Sequence, residues 1–104
     1  VWLGEYCWID NLDEVIIGNH VCISQGALLL TGNHDYTLTS FDYRNASIVI
    51  ENGAWIGAKA IVCPGVTVHS HAILTVGSIA TKNMEMYGIY QGNPAQLMRK
   101  RIIK

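Results

Sequence analysis

Four histidines (His20, His34, His69, His71) and three cysteines (Cys7, Cys22, Cys63) are the side chains of this 104-residue chain best suited to chemistry near neutral pH. An imidazole can take a proton from a hydroxyl, three converging imidazoles can hold zinc, and a thiolate beside a base can attack a carbonyl. Spacing separates these options. The cysteines are odd in number, have no CxxC pair and no base suggested beside them. They predict neither a disulfide framework nor a cysteine zinc site, and read as small buried thiols of a reducing cytoplasm. His20, His69 and His71 recur at the corners of a repeat and read as solvated corner residues. His34 differs. It stands in "GALLLTGNHDYTLTSFDYRNASIVIENGAWIG", residues 26–57, where a regular pattern stops for about fifteen residues.

That pattern is an aliphatic residue every sixth position: Ile50, Ile56, Val62, Val68 and Leu74, and earlier Leu3 and Ile9, then Ile17, Ile23 and Leu29. A two-residue insertion in "IDNLDEVI" separates the last two groups. Four positions after most of these beats comes a small or short residue: Cys7, Val21, Ala27, Ala54, Ala60, Val66, Ala72 and Ser78, with Asp13 breaking the column inside the insertion. Glycine precedes several of them, at Gly26, Gly53, Gly65 and Gly77, where a tight corner needs permissive backbone. Period six fits neither a helix nor an alternating strand. It fits a short strand plus a corner, three such units closing a triangular coil whose aliphatic residues stack inward at the inter-strand spacing of about 4.8 Å.

The prism is expected over residues 1–82, with an excursion loop at about 32–47. Val1 is not a methionine and Trp2-Leu3-Gly4 already sits inside the repeat, so further N-terminal coils are expected to precede it. In the tail, 83–104, Gly92-Asn93-Pro94 reads as a turn and Ala95 to Ile103 as a short basic helix. Half of the residues are hydrophobic, 14% are charged and the net charge is −1, which argues against nucleic acid and membrane-surface partners. No apolar run reaches the roughly eighteen residues of a membrane span, and no signal peptide is visible.

The ordered set "IGNHVCISQGALLLTGNHDY", "IVIENGAWIGAKAIVCPGVTV" and "TVGSIATKN…YGIYQGNPAQLMRK" resembles the hexapeptide-repeat acyltransferases. Galactoside and maltose acetyltransferases are similar in pattern. The "WIDNLDEV", "CISQGALLLTGNHDY" and "YGIYQGNPA" stretches are most like exopolysaccharide O-acetyltransferases of the colanic-acid type. The resemblance implies an all-β, left-handed parallel β-helix and an acetyl-CoA-dependent O-acetyltransferase that transfers directly to a saccharide hydroxyl in a ternary complex, without metal. It places the general base at His34, an assignment that suits an imidazole. On the donor side it implies Trp55 along the pantetheine arm, Ala58 N–H as oxyanion donor, Gly57 as a bare edge for that arm, Val76 and Thr81 as groove lining, and Lys82 and Arg99 toward the phosphates. Gln96 departs from relatives that carry a basic residue after the Gly-x-Pro turn, which weakens a phosphate clamp in the tail. Asp10 and Asn11 are the acceptor-side candidates, with local capping as an equal reading. Phe41, Tyr43 and Arg44 are candidates for contact with acceptor or neighbouring subunit.

Two other readings stay open. A zinc carbonic-anhydrase-like enzyme would use the same prism, yet His20 and His71 fall two coils apart, about 10 Å by strand spacing. A non-catalytic scaffold would need neither His34 nor Trp-Ile-Gly-Ala. Flat faces on which runs such as Leu28-Leu29-Leu30 and Ile16-Ile17 put some apolar groups outward, together with the threefold packing that the resemblance implies, predict a homotrimer, and a cytoplasmic location is expected with it.

Overall fold

The six-residue beat becomes geometry in a computed structural model that describes residues 1–104. Each coil carries three short strands. The first has β1 (Trp2–Leu3), β2 (Trp8–Asp10) and β3 (Val15–Ile17); the second β4 (Cys22–Ile23), β5 (Leu28–Leu30) and β6 (Ile48–Ile50); the third β7 (Trp55–Ile56), β8 (Ile61–Val62) and β9 (Thr67–Val68). A fourth holds β10 (Ile73–Leu74) and β11 (Ile79–Ala80), and its third side is a bridge from Met84 to Val68. These strands stack in parallel into three sheets, β1-β4-β7-β10, β2-β5-β8-β11 and β3-β6-β9, called faces I, II and III below; the tail extends face I with β12 (Gly88–Gly92), parallel to β10, and β13 (Ala95–Lys100), antiparallel to β12.

Register measures the insertions. Trp55 pairs with Ile73, eighteen residues on, which is three hexapeptides. Trp2 pairs with Cys22, twenty on, so the first coil carries two extra residues. Cys22 pairs with Trp55, thirty-three on, so the second carries fifteen. Both agree with the sequence reading.

The aliphatic column is the core: Ile23, Leu29, Ile50, Ile56, Val62, Val68 and Leu74 have no exposed surface. The small column closes the corners. Ala60 N–H donates to Gly57 C=O at 3.1 Å and Ser78 N–H to Thr75 C=O at 3.1 Å, each a four-residue turn. The third turn position is left-handed throughout: Gly26, Gly53, Gly65 and Gly77 at φ +70° to +83° or close to it (+67° at Gly77), but also Tyr6, His20, Lys59 and His71 at +56° to +61°. Such turns need positive φ there, which glycine takes without cost and other residues take at roughly 1 kcal/mol or more.

The tail corrects one expectation. Ala95 to Ile103 is not a helix. β12 (Gly88–Gly92) stacks parallel on β10, and β13 (Ala95–Lys100) returns antiparallel to it across the Asn93–Pro94 turn. Extended backbone wins because β12 offers a ready ladder, whereas a helix there would have left the edge of face I unpaired. The tail is pinned by Arg101, whose Nη1 donates to Gly53 C=O at 3.0 Å and His71 C=O at 3.2 Å, and by the Tyr87 ring stacked on His71 at 4.8 Å. No helix of the chain is long and apolar enough to cross a membrane.

Candidate active site

The prism has three edges, and the edge a residue occupies decides what it can meet. The fifteen extra residues leave β5 and return at β6, so the excursion springs from the edge between faces II and III. Its stem is a short antiparallel pair: His34 bridges Tyr43, Asp35 N–H donates to Asp42 C=O at 2.8 Å, and Arg44 N–H donates to Asn33 C=O at 2.8 Å. His34 is half-buried at the base of this stem. Its Nδ1 lies 2.8 Å from the carbonyl oxygen of Phe41. A carbonyl only accepts, so Nδ1 carries the proton and the neutral ring has its lone pair on Nε2. Asp35 is held below the ordinary carboxylate value by the Thr37 hydroxyl and amide, then by Arg44, and so stays ionised in the loop.

Asp10 and Asn11 leave β2 at the same edge, one coil below. Asp10 Oδ2 accepts from Gly32 N–H at 3.1 Å, and its C=O accepts from the Thr31 hydroxyl at 2.6 Å. Thr31 also takes the Asp13 amide, at 3.0 Å. Asp10 is thus committed, at least through one oxygen, to the root of the excursion, while Asn11 is exposed and makes no hydrogen bond in the chain. Thr31 was missed from sequence. It is fully buried, two residues after inward Leu29, and alternation alone places it inward. Thr81 and Lys82 follow β11 and occupy this edge two coils above His34, exposed, with Lys82 free of any partner.

The donor-side candidates lie on the next edge, between faces I and II. Trp55 stands outward on β7, 45% exposed, and its Nε1–H donates to Ser24 Oγ at 2.8 Å. Ser24, 7% exposed, was also missed; its register neighbours are Gly4, Gly57 and Thr75, so glycine alternates with a hydroxyl along one column. Ala58 is the second residue of its corner turn, a position whose N–H points out of the turn. Its amide donates to nothing in the chain, nor do those of Glu5, Gln25 and Val76 above and below it. Elsewhere such amides are mostly engaged: Asn19 and Ser70 donate to the side chains of Asn52 and Glu51, and Pro64 has no N–H, leaving Asn52. Gly57 has a different role from the one expected. A Cβ on it would meet Leu74 O and Val76 N at 2.7 Å, so its bareness admits the backbone of the next coil rather than a ligand. Arg99 stands on β13 opposite Ile89, in the outward column of face I that includes Trp55, and has no partner, whereas Lys100 is tied to Glu85 and Arg101 to backbone.

The structure therefore gathers His34, Asp10, Asn11, Thr81 and Lys82 on one edge, and Trp55, Gly57, Ala58, Val76 and Arg99 on or beside another. A side of six residues spans at most about 20 Å, against the roughly 3 Å a proton transfer needs. The remaining edge carries His20, His69 and His71. His20 and His71 are two coils apart with Gly53 between them, His69 Nδ1 meets Glu51 at 3.0 Å, and no three metal-ligating side chains of the chain converge.

No family model matches the chain. Over 106 residues it is 33% identical to a protein of Escherichia coli (strain K12) that bears the name of a colanic acid biosynthesis acetyltransferase, WcaF, covering 96% of this chain and 58% of that one. A chloramphenicol acetyltransferase of Klebsiella aerogenes is 34% identical over 113 residues, covering 88% of this chain and 54% of that one. Among solved structures, a galactoside acetyltransferase in complex with coenzyme A superposes with a TM-score of 0.82 at 25% identity, over 94% of this chain and 54% of that one. The chain spans a little over half the length of these relatives.

Proposed function

Since the chain belongs to the hexapeptide-repeat acyltransferase family, we propose that it is the coil segment of an acetyl-CoA-dependent O-acetyltransferase acting on a saccharide hydroxyl in surface-polysaccharide synthesis. The observation that carries this is the His34 ring, fixed through Nδ1 with Nε2 bare, at the root of the long excursion. In this reading Nε2 takes the proton of the acceptor hydroxyl as its oxygen attacks the thioester carbonyl carbon. The tetrahedral oxyanion is held by the free Ala58 N–H, and collapse releases the thiolate, which recovers the proton from the imidazolium. No covalent enzyme intermediate is needed. A positioned base contributes about 10²- to 10⁴-fold, and one oxyanion donor about 10²- to 10³-fold.

A single prism holds the base and the oxyanion donor on separate edges, so the proposal includes a cytoplasmic homotrimer. Both edges border face II. Three prisms turning face II toward a threefold axis would bring the Ala58 edge of one subunit against the His34 edge of the next. One cleft would then carry Trp55, Ala58, Val76 and Arg99 from one chain, and His34, Thr81, Lys82 and Asn11 from its neighbour. Lys82 and Arg99, both free of internal partners, suit the phosphorylated end of coenzyme A. The outward ladder of face II, Trp8, Leu28, Ile61 and Ile79, is apolar, as an inner face requires.

The test is steady-state transfer from acetyl-CoA to a panel of free, nucleotide-linked and lipid-linked sugars, with chloramphenicol included. His34→Ala should lower kcat by two to four decades, on the scale expected for a lost base, with coenzyme A affinity nearly unchanged. A variant within threefold of the parent would remove His34 from the mechanism.

A further inference from the structure

The excursion holds more aromatic surface than a connector needs, and two of its rings are committed to His34. The Phe41 ring stacks on the imidazole at 4.2 Å between centroids and 15° between planes. The Tyr43 ring lies against it at 4.6 Å and 30°. Two six-membered rings cannot both stand that close on one face, so they enclose the imidazole from both sides. Neither ring belongs to the core: Phe41 is 54% exposed and Tyr43 70%. Phe41 also sits at φ +53°, a backbone state that a bulky residue avoids unless its surroundings impose it. That conformation aims the Phe41 carbonyl at Nδ1 while its ring covers one imidazole face. The antiparallel bridge between His34 and Tyr43 brings the second ring over the other face.

We propose that Phe41 and Tyr43 are positioning residues that clamp the His34 ring in the one orientation and tautomer presenting a bare Nε2. The proposal rests on the reading of His34 as the base. The clamp acts in two ways. Stacking on both faces removes rotation of the ring about its side-chain torsions, where a displacement of about 1 Å at a reacting atom can lose 10²-fold in rate. When Nε2 takes the proton, the imidazolium formed lies between two ring faces that attract a cation. Neither effect requires Phe41 or Tyr43 to touch the acceptor.

The experiment uses the assembled protein and two readouts. The first is the pair of imidazole ¹⁵N resonances of His34, which report the tautomer without turnover. The second is kcat and KM for acetyl-CoA. Tyr43→Leu should replace the fixed Nδ1–H pattern with the averaged shifts of a freely exchanging ring, and lower kcat about tenfold or more, on the scale expected of misplacement. KM for acetyl-CoA should stay within about twofold, because ground-state donor contacts are untouched. Tyr43→Phe, which restores the ring without the hydroxyl, should recover most of the lost rate. Phe41→Gly repeats the test on the other face in a residue that accepts positive φ, so the backbone is not asked to carry new strain. Unchanged nitrogen shifts and kcat within threefold in Tyr43→Leu and Phe41→Gly would overturn the clamp. So would a Tyr43→Phe enzyme as slow as Tyr43→Leu, which would transfer the role to the hydroxyl. Full activity in His34→Ala would instead sink the base assignment, and the nitrogen shifts would still decide whether the ring is clamped.

Discussion

Mixing two dead proteins is the sharpest test of a site split across edges. His34→Ala removes the ring from the edge between faces II and III and leaves that chain's donor edge intact. Ala58→Trp places an indole over the free amide on the edge between faces I and II and leaves that chain's His34 intact. Ala58 is a half-buried corner residue outside the packed column, so its enlargement points into the groove rather than the core. If each cleft joins the Ala58 edge of one chain to the His34 edge of the next, an active cleft needs a His34→Ala chain followed by an Ala58→Trp chain. Chains assembled at random in equal amounts meet that order in about one cleft in four. The mixture should therefore show about a quarter of parental activity per chain, and activity should follow the product of the two fractions as the ratio is varied. The proteins are co-refolded, trimers are confirmed by sedimentation, and transfer is followed by thiol release from acetyl-CoA. Mixed trimers with no activity above that of the separate variants would refute the shared cleft. A fully active monomer of the parent would refute the trimer as well.

Three further outcomes follow from local geometry. Gly57→Ala should lower the melting temperature by several degrees, since its Cβ would meet backbone at 2.7 Å and overpacking costs about 1–3 kcal/mol; calorimetry showing no loss would mean the coils separate freely there. Ser24→Ala removes the acceptor of Trp55 Nε1–H, so indole fluorescence should shift and KM for acetyl-CoA rise, with stability lowered by only about 1 kcal/mol; an unchanged KM would show that the indole needs no anchor. Burial pushes the Cys63 thiol above its ordinary value of 9.0. A folded value above the unfolded one makes that contribution intact below about pH 9 and lost as pH rises through the folded value. Urea unfolding should show an alkaline loss of stability that Cys63→Ala reduces, and an identical slope in both proteins would exclude the thiol.

The core was legible because its signal is local and repeated. Ile50, Ile56, Val62, Val68 and Leu74 keep a spacing of six and all end fully buried. The register shifts of two and fifteen residues at the insertion and excursion match what the broken beat implies. The tail was misread because "QLMRKR" has no beat and its basic residues resemble a helix terminus. What decided its conformation was the strand at Gly88–Gly92, which is itself fixed by stacking on Ile73–Leu74 and offers a ladder across the turn read at Gly92-Asn93-Pro94. Ser24 escaped because it looks like an ordinary corner polar residue until its register neighbour is known, and Thr31 because it stands where the beat stops, although alternation from Leu29 already turns it inward.

The partition of the candidate residues among edges is harder to see in sequence, although it follows from counting. His34 and Ala58 are twenty-four residues apart, which invites the idea that they are neighbours. Take out the excursion and the coil places them on different corners, because a corner identity repeats every eighteen residues and not every six. The same count explains why the free amides collect where they do. Residues 5, 25, 58 and 76 share one corner, and all four keep their N–H unpaired. On the corner shared by 19, 52 and 70, two of the three are capped by the side chains of Asn52 and Glu51. Capping a corner amide takes only a carboxylate or amide side chain one coil away, and this chain supplies such groups at the histidine corner. At the Ala58 corner Glu5 and Gln25 carry such groups, yet neither side chain accepts from a corner amide. An edge whose amides stay open across four coils, beside an exposed tryptophan, is suited to an extended ligand that brings its own acceptors, as the amide-bearing pantetheine arm does.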